Sequence, residues 1–238
     1  MKFDSMIVPS GNTYERSDMD LILAMNRYGF IRHMPGGFIL ASGIQSHIYV
    51  FGRNDVTDNP ELGWLIGRKT AQIITTEHQE GDLAPCLIGV PTAGNAIAAA
   101  ASYVAYAEGI KSPAGEISYR VMRETVKTHG AGANQWINGP FDDNFHTFWG
   151  IENVVTTGIT KNVAAGRLIE SGYPAHKMPW LIFVDRQQGG LARMAEAGFE
   201  RVVVAYFLLD IAYAMGQLGE WPKDLVETVK EEIAAHQV

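Results

Sequence analysis

Apolar residues fall along this chain in two rhythms. In the first part they keep helical spacing. Leu21, Ile22 and Met25 share one face of a segment running from Ser17 to Tyr28. Ser17 is placed to cap that helix, Asp18 and Asp20 suit its positive end, and Gly29 follows as a stop. Pro35-Gly36-Gly37 predicts a turn, with short strands over Phe38–Ala41 and His47–Phe51. Asn59-Pro60-Glu61 then predicts a second helix start with Pro60 at its first position, carrying Leu62, Leu65, Ile66, Ile73 and Ile74 on one face.

From Cys86 onward the rhythm changes. Short apolar runs alternate with helical segments: Cys86–Val90, Asn95–Glu108, Ile117–Met122, Thr147–Ile151, Thr160–Ser171, Trp180–Val184, Leu191–Ala197 and Val202–Ala205. Runs without polar alternation are what strands covered on both faces look like. Strands that alternate with helices imply right-handed crossovers. The expected fold is therefore α/β, an open and mainly parallel sheet flanked by helices. We divide the chain into an N-terminal helix and strand part (1–80), a core sheet (81–205) and a helical tail (206–238). The tail ends in an amphipathic helix over Asp224–His236. The longest irregular stretch, Glu124–His146, holds Gly130, Gly132, Gly139 and Pro140. A loop of that length suits either a mobile lid or a surface insertion.

Composition narrows the classes. The 238 residues are 47% hydrophobic and 19% charged, which is ordinary globular usage. The net charge of -7 carries no basic stripe, so no nucleic-acid partner is expected. Any phosphate site must then be built from backbone donors and a few placed cations. Cys86 is the single cysteine and is expected as a buried strand residue, which fits a reducing, cytoplasmic setting. No run approaches the roughly 20 apolar residues of a membrane span, and no signal peptide is expected. His33, His47, His78, His146, His176 and His236 show no metal spacing, and Arg16 and Lys161 read as solvated faces.

The chemistry gathers around Glu152-Asn153-Val154-Val155-Thr156-Thr157-Gly158-Ile159-Thr160. An apolar strand runs into two polar residues, then a turn of small and hydroxyl residues, then a helix. Backbone N–H groups, threonine hydroxyls and the positive helix end make such a turn a phosphate cradle. Glu152 at the strand tip suits sugar hydroxyls. The segment resembles the signature of type I phosphoribosyltransferases: an apolar strand, an acidic pair, two apolar residues and Thr-Thr-Gly.

Four more segments, in family order, resemble orotate phosphoribosyltransferases. They are Ser42-Gly43 through Arg53, Gly89-Val90-Pro91-Thr92-Ala93-Gly94, Tyr119 through Gly130, and Asp185-Arg186-Gln187-Gln188-Gly189-Gly190. The resemblance implies transfer of phosphoribosyl from 5-phosphoribosyl 1-diphosphate to orotate in pyrimidine synthesis. It implies a 5-phosphate site at Val155, Thr156, Thr157, Gly158, Ile159 and Thr160, with Glu152 and Asn153 on the ribose. Thr92, Ala93 and Gly94 would hold diphosphate. Arg186, Ser42 and Gly43 would meet the base. Lys127 would be the main catalytic cation on a hood loop, with His129 and Arg123 on diphosphate. It further implies Mg²⁺ held mainly by substrate and water, without direct protein ligands, and a homodimer in which Lys127 reaches the neighbouring site.

The sequence also departs from the family. Asn153 replaces the second acidic residue, Glu124 and Ala41 stand where lysine is frequent, no lysine follows Ala93, and Phe51 takes a usual aspartate position. Taken on the residues alone, Arg186 also suits an ion pair beside Asp185. Transfer to another base, or a non-catalytic sensor of phosphoribosyl diphosphate, are the alternatives.

Overall fold

A computed structural model describes residues 4–40, 43–51, 55–130, 135–142, 144–157 and 159–235, with residues 55 and 159–161 described by their backbone. Its centre is a five-stranded parallel sheet in the order β6-β5-β7-β8-β9. The strands are β5 (Ala84–Gly89), β6 (Ser118–Val121), β7 (His146–Val155), β8 (Trp180–Asp185) and β9 (Val202–Phe207). Helices α4 (Ala93–Glu108), α5 (Ile159–Glu170) and α6 (Gly190–Glu196) make the crossovers. This is the expected fold class.

Side-chain alternation divides the core in two. On one face Leu87, Leu181 and Phe183 pack with Ile97 and Ala101 of α4 and with the N-terminal and C-terminal elements. On the other, Cys86, Ile88, Trp180 and Ile182 pack with Leu168 of α5 and Met194 of α6. Both faces of these strands are thus covered, which is why their sequences carry no polar alternation. Cys86 is buried as expected.

The first face also carries α1 (Arg16–Arg27), α2 (Asp55–Asp58), α3 (Pro60–Thr76), α7 (Leu208–Leu218) and α8 (Leu225–Ala234), with two small antiparallel pairs, β1 (Ser5–Ile7) with β2 (Thr13–Glu15) and β3 (Ile31–Ile39) with β4 (Gln45–Val50). α3 starts at Pro60 as predicted. α1 starts one residue earlier than Ser17, with Glu15 as its N-cap. The reason is Asp18, whose carboxylate accepts the Glu15 N–H at 3.1 Å and closes the first turn from inside. Asp18 is buried and also takes Lys69 at 2.6 Å and the Tyr206 hydroxyl at 2.7 Å.

The expected turn at Pro35-Gly36-Gly37 lies inside β3 instead. The register with β4 shifts between His33 and Phe38, so the three residues form an irregularity in a continuing strand. Proline has no N–H for a ladder, and glycine accepts the bend, so a bulge absorbs both. The hairpin turn falls later, at Leu40–Ile44, where Gly43 has φ 82. The hairpin is held from behind by α8: Glu232 accepts the His47 N–H at 3.0 Å and lies 2.5 Å from His47 Nδ1. Among the described residues no helix is long and apolar enough to cross a membrane.

Candidate functional site

The order β6-β5-β7 places the chain reversal of the sheet between β5 and β7. Loops leaving two such strands run to opposite sides and open a crevice at the carboxyl ends. Here the crevice lies between the residues after Gly89 and those after Val155. The two sides are tied: the Val90 N–H donates to the Ile151 carbonyl at 2.8 Å. A Cβ on Gly94 would stand 2.3 Å from the Ile151 oxygen, and one on Gly89 would stand 2.2 Å from the Gly94 carbonyl. Only glycine fits at either position, and the first turn of α4 therefore sits on Ile151, midway along β7. The Pro91–Thr92 peptide in this loop is cis. Gly94 is thereby set against the carbonyl of Ile151, the residue before Glu152, with Ala93 in the same first turn of α4 and Thr92 at its N-cap. Asn95, a residue the motif reading missed, stitches α4 to β6. Its amide donates to the Met122 carbonyl at 2.8 Å and accepts the Met122 N–H at 3.1 Å.

Glu152 and Asn153 lie inside β7, not beyond its end as the strand prediction had it. β5 pairs with β7 only as far as Gly89 against Ile151, but β8 continues the ladder to Asp185 against Val155. The polar pair is thus held in extended backbone by β8. Both residues are buried, and the Asn153 N–H donates to Glu152 Oε1 at 3.0 Å. The Asn153 side-chain amide donates to the Phe51 carbonyl at 2.7 Å, across to the end of β4.

After Val155 come Thr156 and Thr157, both half-buried, and α5 begins at Ile159. Gly158 and the side chains of Ile159 and Thr160 lie outside the described residues. The turn is pressed against α6: a Cβ on Gly190 would stand 2.6 Å from Val155 Cγ2 and 2.7 Å from the Thr156 oxygen. Arg193 of α6 donates to the Thr157 carbonyl at 3.3 Å. In the sequence Arg193 belongs to the expected crossover helix Leu191–Ala197, and its one signal is a cation one turn after Gly190.

In the long segment after β6, described residues on either side of 131–134 pair with one another and form a flap. Met122 bridges Ile137, the Arg123 N–H donates to the Trp136 carbonyl at 2.8 Å, and the Asn138 N–H donates to the Val121 carbonyl at 3.2 Å. Arg167 of α5 holds its base by donating to the Arg123 carbonyl at 3.3 Å and lying 4.6 Å over the Trp136 ring. Arg123 and Lys127 are half-buried and His129 is exposed. Arg123 Nε is buried and has no hydrogen-bond partner among the described residues. The Thr92 hydroxyl donates to Glu124, which joins the diphosphate loop to the flap.

Arg186 is 1% exposed. Its Nη1 donates to the Ile48 carbonyl at 3.0 Å and its Nη2 to Ser46 Oγ at 2.5 Å, so it fastens β4 to the tip of β8 rather than pairing with Asp185. Burial lowers its pKa to about 10, against a smaller opposite pull from Glu232, and it stays cationic at neutral pH. Asp185 beside it is raised by burial to about 6, with the Gln187 N–H pulling the other way. Gly43 lies in the exposed hairpin turn, three residues along from Ser46; Ser42 lies outside the described residues. Among the described residues no three His, Cys, Asp or Glu side chains gather into a metal-binding group.

No family model matches the chain. It is 28% identical to the orotate phosphoribosyltransferase of a Nostoc species over 87% of this chain and 90% of that protein. It is 33% identical to the orotate phosphoribosyltransferase of a Synechocystis species over 66% of this chain and 72% of that protein. Among solved structures, Leishmania donovani UMP synthase superposes with a TM-score of 0.71 at 20% identity, covering 91% of this chain but only 42% of that longer one. Francisella tularensis orotate phosphoribosyltransferase superposes with a TM-score of 0.66 at 16% identity, covering 92% of this chain and 100% of that one. The sheet and its flanking helices are thus the type I phosphoribosyltransferase fold.

Proposed function

The chain belongs to the orotate phosphoribosyltransferase family, and we propose that it transfers the phosphoribosyl group of 5-phosphoribosyl 1-diphosphate to orotate, giving orotidine 5′-monophosphate and diphosphate for UMP synthesis. The observation that carries the reading is the Val90–Ile151 hydrogen bond, which joins a phosphate-type loop to the strand bearing Glu152.

In this reading the 5-phosphate lies against Thr156, Thr157 and the N–H groups opening α5, with Gly158, Ile159 and Thr160 completing the turn. Arg193 holds the Thr157 carbonyl turned away from the anion. Glu152 accepts from the ribose hydroxyls. The diphosphate takes the N–H groups of Thr92, Ala93 and Gly94 at the positive end of α4. The base nitrogen forms its bond to the anomeric carbon as the bond to diphosphate breaks. The sugar then resembles an oxocarbenium ion, and negative charge grows on the leaving group. Lys127, His129 and Arg123 supply cations to that charge when the flap folds over, and a site closed to water makes each worth more.

The base lies under the β3–β4 hairpin, whose turn holds Gly43, and Ser42 is assigned to the base as well. Arg186 provides a buried positive charge beneath the hairpin that favours the orotate carboxylate. Residues 1–80 form the base-binding part, 81–205 the core and 206–238 a tail that braces the hairpin through Glu232 and His47.

The donors present fit Mg²⁺ that arrives with the diphosphate: two carboxylates, Glu152 and Glu124, and the Thr92 hydroxyl that donates to Glu124 lie at the crevice, and this ion needs few protein ligands. When bound, it neutralises charge on the departing diphosphate. The enzyme acts as a homodimer in which Lys127 serves the neighbouring site, in a cytoplasmic setting. A base panel of orotate, uracil and hypoxanthine tests the assignment: orotate is expected to turn over fastest, and faster turnover of either other base overturns it.

A further inference from the structure

Asn153 stands where the family signature has a second carboxylate, and its side chain is turned to a different task. Its amide nitrogen donates to the Phe51 carbonyl at 2.7 Å, and the residue is 9% exposed. The acceptor is itself fixed. The Phe51 N–H donates to the Phe30 carbonyl at 2.8 Å, and its ring lies 5.4 Å from that of Tyr49.

We propose that Asn153 is a positioning residue that clamps the end of the β3–β4 hairpin to the ribose-binding strand, leaving the ribose hydroxyls to Glu152. The inference rests on the reaction proposed above. Its physical basis is the direction of the bond. An amide has N–H groups to donate; an ionised carboxylate has only acceptors. Aspartate at 153 would keep the shape of asparagine and set an acceptor against the Phe51 carbonyl, in a place where little water screens the repulsion. The hairpin has a second fastening one strand over, where Arg186 donates to Ile48 and Ser46. Without the Asn153 bond the hairpin stays attached but its Phe51 end is released. The effect then falls on the base, which the hairpin covers, more than on the sugar phosphate.

The full chain is tested as wild type, Asn153→Asp, Asn153→Ala and Asn153→Ser. Wild-type conversion of orotate is measured first; its failure counts against the reaction, not the clamp. Each variant is expected to raise KM for orotate by about tenfold, the loss of one buried hydrogen bond, with KM for phosphoribosyl diphosphate changed by less than about threefold. Hydrogen exchange of the amides at 45–51 is expected to quicken in every variant while the five-stranded sheet stays protected, which separates a released hairpin from a failure to fold. Asn153→Ser keeps a small polar group at the position should the aspartate variant not fold. The proposal is overturned if Asn153→Asp raises kcat or lowers KM for phosphoribosyl diphosphate, as a restored ribose ligand would. It is equally overturned if exchange at 45–51 stays at the wild-type rate.

Discussion

Gly94 sits with its Cα against the Ile151 carbonyl, so close that a methyl group there would stand 2.3 Å from the oxygen. The contact joins the first turn of α4 to the strand that carries Glu152. Gly94→Ala must push the two apart, and the neighbour is backbone with no rotamer to change. We expect a loss of about 1–3 kcal/mol by urea denaturation, as for other overpacked positions. The KM for phosphoribosyl diphosphate should rise with it. Wild-type stability and KM in this variant would show that the loop is looser than described.

The sheet was legible because its strands are covered on both faces. Cys86–Val90 and Trp180–Val184 read as unbroken apolar runs, and they form β5 and β8. The loop after β5 meets the strand that carries Glu152 only because β5 and β7 adjoin, which brings Gly94 onto the Ile151 carbonyl. What did not show was anything set by contacts distant in sequence. Glu152 and Asn153 are strand residues because β8 extends the ladder past Ile151. Arg186 is buried because Ser46 and Ile48, about 140 residues earlier, accept its hydrogen bonds. Asn95, with two hydrogen bonds to Met122, and Arg193, with one to Thr157, act through side-chain bonds that leave no periodic trace.

Arg186 makes the strongest case for a residue serving both stability and the base. Replacing it with alanine removes a buried side chain and leaves the Ile48 carbonyl without that donor. The expected cost is about 3 kcal/mol, from lost packing and two lost charge-assisted hydrogen bonds together. Thermal denaturation reads this, and KM for orotate should rise in parallel. A variant as stable as wild type would mean that the hairpin is held without the guanidinium.

Asp185 gives the protein a pH dependence with a definite sign. Its carboxyl is raised by burial to about 6 in the folded chain, against about 3.9 when unfolded. The group therefore favours the fold when protonated, and that contribution is lost as pH rises from about 4 through about 6. The loss is about 3 kcal/mol at neutral pH. Asp185→Asn should remove most of this fall in stability between pH 4 and pH 7. Parallel stability curves for wild type and variant across that range would contradict it.

Glu124 places a negative group on the Thr92 hydroxyl, at the loop assigned to diphosphate. Removing the charge should help an anionic substrate. Asn and Gln cannot be assumed equivalent here, so the variant is Glu124→Gln, which keeps length and one acceptor. KM for phosphoribosyl diphosphate should fall roughly two- to fivefold, the range for an exposed charge pair. A rise in KM would instead make the Thr92–Glu124 contact a support for the loop.

Lys127 is assigned to the charge that develops on the leaving diphosphate, not to the bound ground state. Lys127→Ala should therefore lower kcat by about a hundredfold or more, while KM for both substrates changes much less. Equal loss in binding and rate would mark it as a residue that positions substrate.

The most direct measurement mixes the full chain with orotate, phosphoribosyl diphosphate and Mg²⁺ and follows orotate absorbance together with released diphosphate. Orotate is expected to disappear, with one diphosphate appearing for each orotate consumed, and both are expected to stop when phosphoribosyl diphosphate is left out. Unchanged orotate absorbance at every enzyme concentration, with the chain shown to be folded, would contradict the proposed reaction.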